Sequence, residues 1–109
     1  MSLSQILVDI TKERDRQDTK FGLQRHQDSV HTSIGPGMLA AWYGIPTEAM
    51  AKVCTDRRFE DGEGTWADVL VEELCEAIEA TLKSREELRA ELVQVAAVAV
   101  AWIEDLDSR

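Results

Sequence analysis

Acidic side chains recur at helical spacing in two neighbouring stretches of the chain. Glu73 and Glu76 are three residues apart in the first stretch, and Glu91 lies in the second. Side chains three residues apart are neighbours on one side of a helix. All three glutamates border apolar stripes, where a charge is costly unless something compensates it. Carboxylate oxygens suit Mg²⁺ or Mn²⁺, so the pattern predicts that the three converge on a divalent cation.

Glutamate-rich helices also have a plainer interpretation. Glu is a strong helix former, and most helix faces rich in Glu are simply solvated. This interpretation suits Glu72 and Glu79, each taken singly. It explains the other three glutamates less well, because they lie at the margins of apolar stripes.

The two stretches are predicted to be helices, one from Trp66 to about Lys83 and one from Arg85 to about Asp107. Thr65 and Ser84 are each followed three residues later by an acidic residue, which is the pattern of a capping box. If these helices pack antiparallel through their apolar stripes, the three glutamates meet at one oxygen-lined site.

Three shorter helical segments are predicted before this pair, over residues 3–18, 38–43 and 47–58. Trp42 and Tyr43 lie in an apolar run and are predicted to be core residues, although aromatic rings can also stack on a base. The inward residues of the third segment are predicted to be Ala49, Met50, Val53 and Cys54. No alternating strand pattern occurs, so the chain is predicted to be all-α.

Length and charge restrict the possible functions. The 109 residues suit a single domain over residues 1–109. A formal net charge of -9 argues against binding a nucleic-acid polymer or an anionic membrane. Cys54 and Cys75 match no disulfide or zinc pattern, so free thiols in a reducing cytoplasm are expected. No signal peptide or membrane-spanning run is recognised.

The composition of the last helix predicts that the chain forms an oligomer. Between Glu91 and Glu104 no residue is charged, and Gln94 is the one polar side chain. A helix that is apolar on nearly every side needs neighbours on every side. We therefore expect a homodimer or homotetramer with this helix at its centre.

The first helix changes from apolar to polar along one side. Its later positions include Arg14, Gln17 and Lys20, and Arg is suited to forked contacts with phosphate. The three side chains are therefore candidates for contacting phosphate or base edges. A helix whose last turns project into water explains the pattern equally well.

A loop that contains several helix-breaking Gly and Pro residues follows, from Phe21 to Gly37. His26, Asp28 and His31 lie in it, but no helix fixes their spacing. Ordinary solvated histidines are the preferred interpretation, with closure over a bound nucleotide as the alternative.

Two segments resemble a known family. Glu72-Glu73-x-x-Glu76, followed by Glu91-x-x-Gln94, resembles the E-E-x-x-E and E-x-x-D signature of the MazG-like all-α nucleoside triphosphate pyrophosphatases. The order and spacing match, but Gln94 stands where the family has Asp. The stretch from residue 13 to residue 24, which carries the polar end of the first helix, is similar to the opening of small MazG-like proteins of phages and bacteria.

The resemblance implies a four-helix-bundle core and hydrolysis of a nucleoside triphosphate between its α and β phosphates. It implies that Glu73, Glu76, Glu91 and Gln94 are metal ligands, with Glu72 activating water or holding a further cation. Because Gln94 brings no charge, weaker metal binding with retained activity is expected. The alternatives are a catalytically silent protein that binds or sequesters a nucleotide, and a helical interaction protein without a small ligand.

Overall fold

The computed structural model describes residues 2–30 and 33–109, and this part of the chain forms five α-helices and no β-strand. The predicted all-α class is confirmed. The helices are α1 (Leu3–Phe21), α2 (Pro36–Tyr43), α3 (Glu48–Glu60), α4 (Trp66–Ala80) and α5 (Arg85–Asp107). Within the same residues, no helix is both long enough and apolar enough to cross a membrane.

Side-chain caps fix where four of the helices begin. In each case an oxygen of the capping residue accepts a hydrogen bond from the backbone N–H three residues later, which satisfies a donor that the first turn leaves free. The four caps are Ser2, Thr47, Thr65 and Ser84. The caps at Thr65 and Ser84 confirm the capping pattern predicted from sequence. The predicted end of α4 at about Lys83 was three residues too long, because Thr81 to Lys83 form a turn.

Helix α4 lies at the centre of the chain, in contact with α2, α3 and α5, while α1 packs against α5. Helices α4 and α5 are antiparallel, since the indole Nε1 of Trp66 at the start of α4 donates to Asp105 Oδ2 at the end of α5, at 2.7 Å. Helices α3 and α4 are antiparallel as well. There the backbone N–H of Glu48 donates to Glu79 Oε2 at 3.0 Å.

Small side chains dominate the buried positions. The residues below a tenth exposed are Ile6, Leu39, Ala40, Ala51, Thr55, Cys75, Ala77 and Ala80. Cys54 is partly buried, and both thiols are free. Alanine and cysteine on α4 let the neighbouring helices approach closely, which explains why bulkier residues are not needed there.

Two predictions about the core were wrong for the chain on its own. Trp42 is 70% exposed and Tyr43 43% exposed; the Tyr43 hydroxyl instead accepts a hydrogen bond from the loop N–H of Val30. On α3, Ala49, Met50 and Val53 are exposed, whereas Ala51 and Thr55 face inward. Each helical residue turns the face by about 100°, so an inward face defined by Ala51 and Thr55 puts Val53 on the opposite side of the helix and leaves Ala49 and Met50 well away from that face.

The chain is flat and open. Its extents are 43 × 40 × 23 Å, and the smallest equals about two helix diameters of 10–12 Å. The radius of gyration is 15.9 Å, compared with about 13 Å for a compact domain of this length. The accessible surface is 7997 Å², whereas a compact monomer of this mass has about 6,100 Å². Roughly 1,900 Å² is therefore exposed beyond what a compact chain would show.

Candidate functional site

Three carboxylates from two helices meet between α4 and α5. Glu73 and Glu76 lie one turn apart on α4, and Glu91 faces them from α5. Each side chain offers one carboxylate oxygen, and the three oxygens lie within 4.8 Å of one another. The convergence predicted from the spacing is thus confirmed. It follows from the antiparallel pairing, which brings the second half of α4 opposite the first half of α5.

Two of the three carboxyl groups, those of Glu73 and Glu76, have raised pKa values. Burial is the main cause of the raised pKa of Glu73, and the charge of Glu91 adds to it. For Glu76 burial comes first again, and the charges of Glu73 and Glu91 help to raise its pKa to about 7. Burial penalises the charged form, and neighbouring negative charges penalise it further. The site is therefore a concentrated negative region at the edge of a small core.

Two oxygens at the site have no hydrogen-bond partner among the residues that the structure describes. They are Glu73 Oε2 and Glu91 Oε2, and both are buried as atoms although the residues are only partly so. Buried polar atoms are nearly always partnered, and an unpartnered carboxylate oxygen costs about 1–3 kcal/mol or more. A hard divalent cation takes carboxylate oxygens as ligands, so the residues present fit Mg²⁺ or Mn²⁺.

Helix α3 brings further charges that sequence reasoning missed. Lys52 pairs with Asp56 at 3.2 Å, and its pKa is raised first by Asp56 and then by the charges of Glu72 and Glu76. Glu48, at the start of α3, contributes to the raised pKa of Glu76. No spacing rule within one helix links α3 to α4, so these neighbours could not be predicted from sequence.

Glu72 and Glu79 were both interpreted as solvated, but of these two only Glu79 accepts a hydrogen bond from another helix among the described residues. Glu72 is partly exposed. Glu79 is partly buried and accepts the backbone N–H of Glu48, so that its negative charge lies at the amino-terminal end of α3. A carboxylate there satisfies a free donor and interacts favourably with the helix dipole. The solvated interpretation was therefore wrong for Glu79, whose role is to join α4 to α3.

The other predicted site residues do not make hydrogen bonds to the three carboxylates in the part of the chain that is described. Gln94 is exposed on α5. The guanidinium of Arg14 donates to Gln17 Oε1 and to Asp18 Oδ1, both at 2.8 Å. The Lys20 ammonium lies over the ring of Phe21, 5.1 Å from its centroid.

The polar end of α1 therefore has its partners on α1 itself. In the loop that follows, His26 shares a hydrogen bond of 3.1 Å with Gln24, and Asp28 is exposed. His31 lies outside the described residues.

Comparison with known proteins finds no match to the chain among protein-family models, curated proteins or solved structures. The site must therefore be judged from its own residues.

In buffer that contains a chelator, we expect the free energy of unfolding to fall as the pH rises from about 4.5 to about 7. The pKa of Glu76 is raised from 4.5 to about 7 in the folded chain, so the folded state binds more protons than the unfolded state across that window. Stability must then decrease with rising pH. The stabilisation from protonated Glu76 is fully present below a pH of about 4.5, and it is lost as the pH rises through about 7, the pKa of this group in the folded chain.

Urea unfolding at a series of pH values measures this slope. Glu76→Gln is expected to flatten it, whereas Glu63→Gln, a change in an exposed turn, leaves it as in the wild type. Parallel slopes for the wild type and Glu76→Gln would show that burial at this position does not perturb the carboxyl.

Proposed function

We propose that the protein is a metal-dependent nucleoside triphosphate pyrophosphohydrolase that forms a nucleoside monophosphate and pyrophosphate. The observation that carries the proposal is the group of three carboxylates, two of whose buried oxygens lack a partner among the described residues. The similarity of Glu72-Glu73-x-x-Glu76 and Glu91-x-x-Gln94 to the MazG-like signature supplies the reaction.

In this proposal Glu73, Glu76 and Glu91 hold Mg²⁺ or Mn²⁺. When bound, the cation neutralises phosphate oxygens and lets an anionic substrate approach a chain of net charge -9. Glu72 is next to a proposed ligand and is partly exposed, so water can reach it. It takes a proton from a water molecule as that water's oxygen bonds to phosphorus and the α–β bridging P–O bond breaks.

The polar end of α1 is proposed to contact the substrate. The Arg14 guanidinium is exposed and forms its bonds with Gln17 and Asp18. An exposed ion pair is worth little, at most about 1 kcal/mol, so a phosphate group can replace Asp18 as the partner. Lys20 is likewise exposed and adds positive charge further along α1.

A catalytically silent nucleotide binder is the second candidate, and Gln94 is the residue that favours it. Its neutral amide removes one negative charge from the ligand set of the family pattern. The exposure of Gln94 also leaves its side chain free of partners among the described residues. A site with fewer charges binds a cation more weakly, and a fold that has lost its cation would still present the polar end of α1 to a nucleotide.

We expect deoxynucleoside triphosphates to release pyrophosphate in the presence of Mg²⁺ or Mn²⁺. Single changes Glu73→Gln, Glu76→Gln and Glu91→Gln should each lower kcat/KM by about 100-fold or more, because even residues behind metal ligands are worth 10–100-fold. Glu86→Gln, at an exposed position in the first turn of α5, is the matched control. A nucleotide-induced thermal shift without pyrophosphate would identify the silent binder instead.

Gln94→Asp is expected to tighten Mn²⁺ binding, because it adds a charged oxygen ligand one turn from Glu91. Isothermal titration calorimetry on metal-free protein measures the change. Gln27→Asp adds the same charge in the exposed loop and should leave the affinity unchanged. If Gln94→Asp gains no more affinity than this control, Gln94 does not belong to the site.

We also propose that the protein assembles as a homodimer or homotetramer through α5. This helix has no fully buried residue in the single chain, and Leu92, Val93 and Leu106 are each about half exposed. The surface in excess of a compact monomer is roughly 1,900 Å², more than the ~800 Å² that each partner buries in an interface of standard size. Two flat chains stacked face to face would give the apolar sides of α5 the neighbours that they need.

Sedimentation equilibrium is expected to give at least twice the chain mass of 12.2 kDa. Val93→Glu places a charge on the exposed apolar side of α5, so it should shift the population to monomer. Leu23→Glu makes a similar change at a loop residue that is 84% exposed, and the oligomer should persist. A monomeric wild-type protein at micromolar concentration would refute the assembly.

A further inference from the structure

A second polar region lies at the turn that joins α4 to α5. It is a cavity of about 560 Å³, within the range of small-molecule sites. Three basic side chains line it, those of Lys83, Arg85 and Arg89, together with one acidic side chain, that of Asp28. We call this the basic cavity. None of the three clustered carboxylates lines it.

The basic cavity is electrostatically unusual for this chain. The net charge of the protein is -9, yet cations outnumber anions around the cavity. Arg85 and Arg89 are four residues apart on one side of α5, and like charges at that spacing destabilise a helix. Neither guanidinium forms an ion pair within the described residues, and the Lys83 ammonium reaches Glu48 only at 4.0 Å. An anion in the cavity would relieve this repulsion.

The other lining groups indicate what kind of anion fits. Thr81 and Ser84 place hydroxyl groups at the wall, although Thr81 already shares a 2.8 Å hydrogen bond with Ser29 and Ser84 caps α5. Guanidinium groups present pairs of N–H donors that match the oxygens of a phosphate. Two arginines and one lysine therefore offer more donors than a single carboxylate could use.

The basic side chains of the cavity do not share the side of α5 that carries Glu91. Arg89 and Glu91 are two residues apart, which corresponds to a rotation of about 200°. Leu88 and Leu92 also line the cavity. An anion held by the two arginines therefore contacts residues other than the three carboxylates.

We propose that the basic cavity binds a phosphate-bearing anion independently of the carboxylate site. The guanidinium groups of Arg85 and Arg89 donate hydrogen bonds to the oxygens of the anion, and the Lys83 ammonium adds a third positive charge. The proposal does not depend on hydrolysis or on metal binding. It assigns a second anion site to an acidic protein whose other prominent polar cluster is negative.

Inorganic pyrophosphate is the probe, titrated into the intact 109-residue chain by calorimetry in excess EDTA. The ionic strength is about 0.15 M, where exposed charges farther apart than ~8 Å are largely screened. Without metal the three carboxylates repel the probe, and any heat from the polar end of α1 is retained when only the basic cavity is changed. The double variant Arg85→Gln/Arg89→Gln should weaken binding about tenfold or more, because each lost charged hydrogen bond is worth that much. Circular dichroism melting checks that the variant is folded, as expected for changes at exposed residues.

Lys12→Gln/Arg57→Gln is the matched control, because it removes the same charge from exposed positions on α1 and α3. It should change the affinity by less than about twofold, as expected when distant charges are screened. Equal weakening by both double variants would mean that pyrophosphate senses only the overall charge, and the proposal would fail. It would fail equally if wild-type protein took up no pyrophosphate. A loss of hydrolysis in Glu73→Gln with unchanged pyrophosphate binding in EDTA would separate the two sites.

Discussion

Mutual repulsion among Glu73, Glu76 and Glu91 is the constraint on which this structure depends. Two of their oxygens are buried without a partner among the described residues, and each such atom costs about 1–3 kcal/mol or more. The packing of α4 against α5 must offset that cost. The Trp66 to Asp105 hydrogen bond contributes at one end of the pair, and the Ser84 cap contributes at the other.

The close approach of helices to α4 explains how the glutamates come to be buried at all. Cys75, Ala77 and Ala80 are almost completely covered, and their small side chains leave little distance between helix axes. Because Glu73 and Glu76 border this closely packed face of α4, their carboxylates lie against the neighbouring helix α5. A larger residue in place of Cys75, Ala77 or Ala80 would separate the helices and return the carboxylates to water, where their repulsion would be screened.

Much of this could be predicted from sequence because the decisive signals are local. The caps at Thr65 and Ser84 define the start of each helix, and the period of 3.6 residues puts Glu73 and Glu76 on one side. Long-range neighbours could not be predicted. The contribution of Lys52 depends on how α3 lies across α4, and the hydrogen bond from the backbone of Glu48 depends on the same packing.

Errors about the core have a common physical cause. Periodicity identifies an apolar face but not what covers it, and on the single chain Trp42, Met50 and Val53 remain exposed. Each is an apolar residue that was predicted from sequence to lie in the core. Their exposure agrees with the excess surface of the flat chain and with the proposed assembly. If the chain assembles as proposed, the core predicted from sequence describes the assembly rather than one chain.

Helix α5 links assembly to chemistry in this proposal. One of its sides carries Glu91, and another carries the exposed Val93. The repulsion at Glu91 acts to separate α5 from α4, whereas covering Val93 by a second chain would hold the helix in place. Anything that neutralises the carboxylates removes the first effect without touching the second. Cation binding and association would then favour the same packed position of α5, so each should strengthen the other, as reciprocal linkage requires.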